Sequence, residues 1–247
     1  MVNGNSDSNV ICSLLGAEMI MSMVLNAVEE DQQTEILNYL GITDIEALNS
    51  LNANLIHSLS NADNATKFNI SNALWVNNAL WVNNEKAKGL NPNYSSLFTT
   101  TYGGLINFRN FTAENQTIIE DINKWGASET DGMIQQYLKE LNSSSFTIIL
   151  TALSFSSYWN NELFSKLPLT NEVFHGTVTD SNVKMMHTNQ CAIKIAEDEL
   201  FYLISLPYGN EAFNMLILLP KSELTNSELT NTVSWERINQ LKNISRY

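Results

Sequence analysis

The stretch Thr147-Ile-Ile-Leu-Thr-Ala-Leu-Ser-Phe-Ser-Ser-Tyr-Trp159 contains no charged residue and is dense in β-branched and aromatic side chains. From Phe146 to Phe155 it is too apolar and too β-rich for a half-exposed strand, so it is expected to lie centrally in a sheet with both faces covered. Downstream the pattern changes. Cys191 to Ala196, Leu200 to Leu206 and Phe213 to Leu219 read as short strands joined by an acidic turn, Glu197-Asp198-Glu199, and by Gly209-Asn210. That spacing is an antiparallel meander. Upstream the signals are helical. Leu14 to Leu40 suggests two helices, the second stopping at Gly41, a natural C′ residue. Ile45, Leu48, Leu51, Leu55 and Leu59 recur at spacings of three and four, as on an amphipathic helix. Tyr94 to Phe98 is helix-like, and the segment from Thr112, taken as its cap, places Ile118, Ile122 and Trp125 on one helical face. Helices first and a meander afterwards argue for an α+β fold.

The 247 residues are 44% apolar and 16% charged, enough to bury a substantial core. Asparagine is abundant but evenly spread, and no Pro-, Gly- or Ser-rich linker divides the chain. One domain over residues 1–247 is expected. Thirteen Lys and Arg against 26 Asp and Glu give a net charge of −13, which repels a nucleic-acid backbone or an anionic membrane surface. The first basic residue is Lys67, with nine acids before it, so the sequence has no basic n-region and reads as lacking a signal peptide. The apolar stretch Met19 to Val28 is broken by Ser22 and Asn26 and is too short to span a bilayer.

Between Asn72 and Asn83 the hexapeptide Asn-Ala-Leu-Trp-Val-Asn occurs twice in succession. Six is even, so Leu74, Val76, Leu80 and Val82 are expected on one strand face, the second copy lengthening the strand without flipping it.

Motifs that carry chemistry are missing. There is no nucleophile elbow around a Ser, no phosphate or dinucleotide loop and no H-E-x-x-H, and His57, His175 and His187 stand outside any motif. The acidic pairs read as solvated turns and helix ends. Cys12 and Cys191 have neither zinc-ligand nor C-x-x-C spacing and are read as buried thiols. Seven N-x-S/T triplets are about what chance gives at this Asn, Ser and Thr content. The chain reads as a non-enzyme without metal or cofactor.

Thr147 to Trp159 followed by Phe164 resembles the serpins, in which a central sheet strand ends in an aromatic, a short turn and a Trp. The other resemblances follow in family order. Asn9-Val-Ile-Cys-Ser13 resembles the strand entering helix B, Thr34 to Gly41 helix C, and Asn72-Ala-Leu-Trp75 the second strand of the main sheet. Ile122-Asn-Lys-Trp125 with Thr130-Asp-Gly-Met-Ile134 resembles the helix F signature. Thr170 with Phe174, Val183-Lys-Met-Met186, Leu206-Pro-Tyr208 and Met215 to Pro220 resemble the later strands, and Leu229 to Trp235 the helix that follows.

The resemblance implies helices packed around a large central sheet and suicide inhibition of a serine or cysteine protease. The protease cleaves an exposed reactive loop and is held as an acyl-enzyme while the loop inserts as a new strand. It further implies that Tyr247 precedes the reactive loop, so that this chain by itself does not inhibit. A sheet-opening gate is implied at Ser13, Gly16, Thr151 and Trp159. The family's Ser-Pro-x-Ser is here Ser13-Leu14-Leu15-Gly16, and the Asn before Ala in the central strand is Thr151, so only Ser13 of the polar cluster is kept. The helix that binds heparin in some members corresponds to Ile45 to Leu59, which has no Lys or Arg, so a heparin-type cofactor is not expected. The setting implied is extracellular, with a cytoplasmic one left open by the missing signal. The alternative within the same fold is a non-inhibitory binding or structural protein.

Overall fold

The computed structural model describes residues 11–80, 90–160, 163–164, 167–176, 179–188, 193–222, 228 and 231–244. Where one domain is expected from the sequence, the chain divides into two compact units. An N-terminal unit comprises Ile11–Ala62 and Lys67–Ser156, and a C-terminal unit comprises Asp63–Thr66 and the described residues from Ser157 onward.

In the N-terminal unit, α1 (Leu14–Leu25) is capped by Ser13, whose hydroxyl accepts from the Gly16 N–H at 3.0 Å. Met19, Met23 and Leu25 of this helix are fully buried. α2 (Glu30–Leu40) buries nothing and stops where expected, at Gly41 with φ +69, a left-handed conformation that glycine adopts without penalty. α3 (Ile45–Ser60) is capped by Asp44, which accepts from Glu46 and Ala47. Its buried face differs from the leucine stripe: Leu48, Asn49 and Asn52 are inside, while Leu51 is 51% exposed.

The sheet of this unit has the order β2-β1-β3, from β1 (Thr66–Asn77), β2 (Leu105–Arg109) and β3 (Thr147–Ser157). β1 and β2 run parallel from Ala73 opposite Leu105 to Asn77 opposite Arg109. Alternation sends Leu74 and Val76 to one face, against Met19, Met23, Tyr94, Phe98 and Tyr102. Ala73 and Trp75 face the other side with Phe111, Ile118 and Ile122, and Trp125 meets Trp75 edge-on at 5.7 Å. Tyr94 and Phe98 belong to α4 (Pro92–Thr100), and Ile118, Ile122 and Trp125 to α5 (Asn115–Glu129).

Three expectations are corrected here. The strand buried on both faces is β1, whose residues Asn72 to Asn77 are all buried; β3 lies beside it at the end of the described sheet and is mostly half-buried. The duplicated hexapeptide does not lengthen β1. The first copy ends the strand at Asn77 and the second begins as a short 3₁₀ turn at Asn78–Leu80, while residues 81–83 lie outside the described ones. Asn77 is the cause: its Nδ2 donates to the carbonyls of Ser143 and Ser145, and its Oδ1 accepts from Ala79 and Phe111, which draws the chain out of line. Finally, Thr112 caps nothing. Asn110 Oδ1 accepts from Thr112 and Ala113, and that side-chain turn delays α5 to Asn115.

The cysteine reading changes as well. Cys12 is an exposed free thiol, because it precedes the cap of α1 beside Ile11 and Leu14, which are 99% and 81% exposed. Cys191 lies outside the described residues.

In the C-terminal unit the meander is as expected: β6 (Lys194–Glu197), β7 (Phe201–Pro207) and β8 (Asn214–Pro220) pair antiparallel in that order. Ala196 and Leu203 on its inner face pack with Leu241 of α6 (Trp235–Ile244). The helix expected over Leu229 to Trp235 falls partly outside the described residues, and the helix on the meander starts where that range ends. Asp198 organises the acidic turn by accepting from Leu200 and Phe201 and from Arg237 of α6. β4 (Thr170–His175) and β5 (Asp180–Met185) form a separate exposed antiparallel pair. His175 and His187 contact Asp180 and Glu172 there.

Candidate functional site

Of the four residues at which the sequence resemblance implies a gate, Ser13, Gly16 and Thr151 lie in the N-terminal unit. Ser13 spends its hydroxyl on the Gly16 N–H of its own helix. Gly16 packs against β3: a Cβ built there would sit 2.9 Å from Leu153 Cδ1, two residues along the strand from Thr151. Thr151 donates its hydroxyl to Asn72 Oδ1 at 2.7 Å, joining β3 to β1 through side chains. A substitution that suggests a lost amide in the sequence has therefore kept a buried partner.

Asn72, 1% exposed, passes the connection on by donating to the Tyr102 carbonyl at 2.9 Å. The Tyr102 hydroxyl donates to Asn49 Oδ1 at 2.7 Å, and the amides of Asn49 and Asn26 exchange two hydrogen bonds of 2.9 Å. Leaving polar groups buried this deeply without a partner is costly, and these hydrogen bonds offset that cost. Burial pushes the Tyr102 hydroxyl up against the opposing bonds of Asn52 and Ser22, and it pushes Tyr94 up to about 12. Both phenols are held neutral at ordinary pH.

Sequence reasoning passed over most of this network. Asn49 and Asn52 could have been found, because two amides three residues apart on a leucine-bearing helix form a polar step on its apolar face. Tyr102 and Asn72 gave no such signal.

Trp159 lies in the C-terminal unit, stacked on Tyr208 with ring centroids 4.4 Å apart and planes 11° from parallel. Phe164 meets its edge at 5.4 Å. The backbone repeats the contact: Trp159 and Tyr208 form an antiparallel bridge, Asn160 N–H donates to Pro207 O and Gly209 N–H to Tyr158 O. A cleft of about 490 Å³ opens beside the stack, lined by Asp63, Asn64, Ala65, Tyr158, Trp159, Gly209 and Asn210. Asp63 is 7% exposed and was not foreseen, since its partner Asn210 is 147 positions away. The N–H of Ala65 above all, with those of Asn210 and the hydroxyl of Thr66, holds its carboxyl below the usual range in spite of burial.

Among the described residues no group of three or more His, Cys, Asp or Glu is placed to hold a metal ion. Neither cluster pairs a nucleophile with a base. One is a hydrogen-bonded tie between two strands of the N-terminal unit and the other an aromatic stack in the C-terminal unit.

A family model described as Serpin (serine protease inhibitor) matches residues 1–246. Serpin-ZX of Arabidopsis thaliana is 23% identical over 238 residues, covering 93% of this chain and 59% of its own length. Iripin-2 of Ixodes ricinus is 23% identical over 221 residues, covering 87% and 54%. The solved structure of Arabidopsis AtSerpin1 in its native stressed conformation superposes with a TM-score of 0.79 at 20% identity, over 97% of this chain and 61% of that one. The chain thus spans a little over half the length of the relatives it matches, and with a family match running from end to end of it, it belongs to the serpin family.

Proposed function

We propose that the chain, in its complete form, is a suicide inhibitor of a serine or cysteine protease. The protease nucleophile attacks a carbonyl in a reactive loop, the amine side leaves, and the ester or thioester is trapped when the cleaved loop joins the sheet. The observation that carries this reading is the make-up of β3, whose 11 residues include neither a charge nor a proline. Such a strand can pair with an added one, because no side chain on it blocks a new ladder of backbone hydrogen bonds. The Thr151–Asn72 bond ties β3 to β1, which directs insertion to the opposite side of β3.

Mixing the complete form with trypsin-, chymotrypsin-, elastase- and papain-like proteases is expected to give a denaturant-resistant adduct with at least one of them. The 247-residue chain alone is expected to be digested without an adduct. Cleavage of the complete form by all four classes without any adduct would overturn the inhibitory reading.

A second reading, a non-inhibitory binding or structural protein, is favoured by Ser13, whose hydroxyl serves its own helix cap. A hinge of small residues such as Ala and Thr ahead of the reactive loop supports inhibition, and bulky or charged residues there support the second reading. The proposed setting is extracellular, in line with most of the family.

A further inference from the structure

We propose that Asp63 is a pH-sensitive clasp that seats the turn beginning at Tyr208 and so positions Tyr208 on Trp159. Three segments of the C-terminal unit meet at this carboxylate: Asp63–Thr66, Ser157 to Asn160, and Pro207 to Glu211. Oδ1 accepts from Ala65 N–H at 2.9 Å. Oδ2 accepts from the Thr66 hydroxyl at 3.0 Å and from Asn210 N–H at 3.1 Å.

Those donors differ in kind. The Thr66 hydroxyl can rotate and exchange roles with Ser157 Oγ, 2.6 Å away. The two backbone N–H groups cannot. A proton on Oδ1 faces the fixed Ala65 N–H, and one on Oδ2 can be given to the Thr66 hydroxyl; either way the carboxyl loses the charge that strengthens both N–H bonds, and the clasp loosens.

Gly209 makes the approach possible. Its φ is +41, and a Cβ there would lie only 1.9 Å from Asp63 Oδ2. With no side chain in the way, the turn comes close enough for the next amide to reach the carboxylate. The turn is also bound by Asn160 Nδ2 to Gly209 O at 3.1 Å, by Gly209 N–H to Tyr158 O, by Asn160 N–H to Pro207 O and by Tyr208 N–H to Phe213 O. Asp63 is thus the charged anchor of the turn, brought from 147 positions away.

The titratable groups on the three segments are Asp63, Tyr158, Tyr208 and Glu211. Tyr158 is 80% exposed, Glu211 is exposed, and burial moves the Tyr208 hydroxyl further into the alkaline range. Lys67, next along the chain after Thr66, is bound to Asp131. Only Asp63 among these changes charge while buried in the acidic range. Because its carboxyl titrates below the ordinary value, the clasp is closed at neutral pH and opens as pH falls through that lowered value. That the clasp holds the turn stands apart from the inhibitory reading.

Hydrogen exchange followed by mass spectrometry on the 247-residue chain between pD 7 and pD 3, corrected for intrinsic rates, tests this without any protease. At pD 7, Asp63→Asn is expected to lower protection of the Asn210 amide by about tenfold or more, while the amides of β7 keep theirs. Wild type is expected to lose the same protection on acidification ahead of β7. Gly209→Ala is expected to reproduce the loss, and to cost less protection in an Asp63→Ala background, where the oxygen it meets is gone. Unchanged protection of Asn210 in Asp63→Asn, or loss in wild type only together with β7, overturns the proposal. Should Asp63→Asn fail to fold, the acid series on wild type decides. A clasp that passes this test in a protein forming no protease adduct would refute the inhibitory reading alone.

Discussion

The hydroxyl of Thr151 on β3 donates to Asn72 Oδ1 on β1 at 2.7 Å, and the same Asn72 donates to the Tyr102 carbonyl. A side-chain tie between two strands of one sheet is thereby continuous with a polar network in the helical layer. Removing the hydroxyl leaves a buried amide oxygen unpaired.

Thr151→Val is accordingly expected to destabilise the protein by about 1–3 kcal/mol, while Thr151→Ser stays within about 1 kcal/mol of wild type. Urea unfolding midpoints at constant slope measure both. Equal stability of the Val variant would show that Asn72 finds another donor.

Two helical glycines are expected to respond in opposite ways to alanine. At Gly16 the new Cβ meets the end of the Leu153 side chain at 2.9 Å, which can turn aside, and alanine gains about 1 kcal/mol in helix propensity. The net change should be near zero. At Gly126 the Cβ would meet the Tyr137 ring at 2.1 Å, and that ring is also packed edge-on against Trp125. Gly126→Ala should cost about 1–3 kcal/mol by overpacking, visible as a lowered Tm and altered near-UV circular dichroism.

Tyr94 and Tyr102 should separate on removal of their hydroxyls. Tyr102 donates to Asn49, whereas the buried Tyr94 hydroxyl has no hydrogen-bond partner among the described residues. Tyr102→Phe is expected to lose about 1–3 kcal/mol and Tyr94→Phe to lose little or to gain. Burial raises the Tyr94 phenol from an ordinary value of 10.0 to about 12, so it carries no ionisation penalty in the fold below pH 10, and relative to that plateau stability is lost above it. The loss grows as pH rises from about 10 to 12, because the unfolded chain ionises first. Stability measured from pH 9 to 12 should decline less steeply in Tyr94→Phe.

The uncharged edge of β3 predicts self-association. A net charge of −13 keeps copies apart at low ionic strength, and screening within about 10 Å at 0.1 M salt removes that protection. Light scattering of the 247-residue chain should rise with salt. Lysines at the two exposed positions Thr147 and Ser156 should suppress the rise, as charges on natural sheet edges do.

Much of the architecture was legible because it is written in periodicity. The leucine spacing of α3, the Gly41 stop of α2 and the alternation of the meander each follow from local chemistry acting over a few residues. The surroundings of the candidate site residues were legible only in part. Ser13 and Gly16 announce a helix start, but the partner of Thr151 is 79 positions away and that of Asp63 is 147 away. Hydrogen bonds across such separations leave no local pattern.

The repeated hexapeptide separates the two kinds of information most clearly. Asn72 to Asn77 is a fully buried strand, and the identical copy that begins at Asn78 opens as a 3₁₀ turn. Composition, propensity and side-chain alternation are the same in both, so the sequence by itself determined that either copy could serve as a strand. What decided between them was position. The first copy lies beside β2 and β3, which supply its backbone partners, and its last residue, Asn77, is held by Ser143, Ser145 and Phe111. A strand exists where neighbouring strands satisfy its N–H and C=O groups, and those neighbours are brought there only by the tertiary fold.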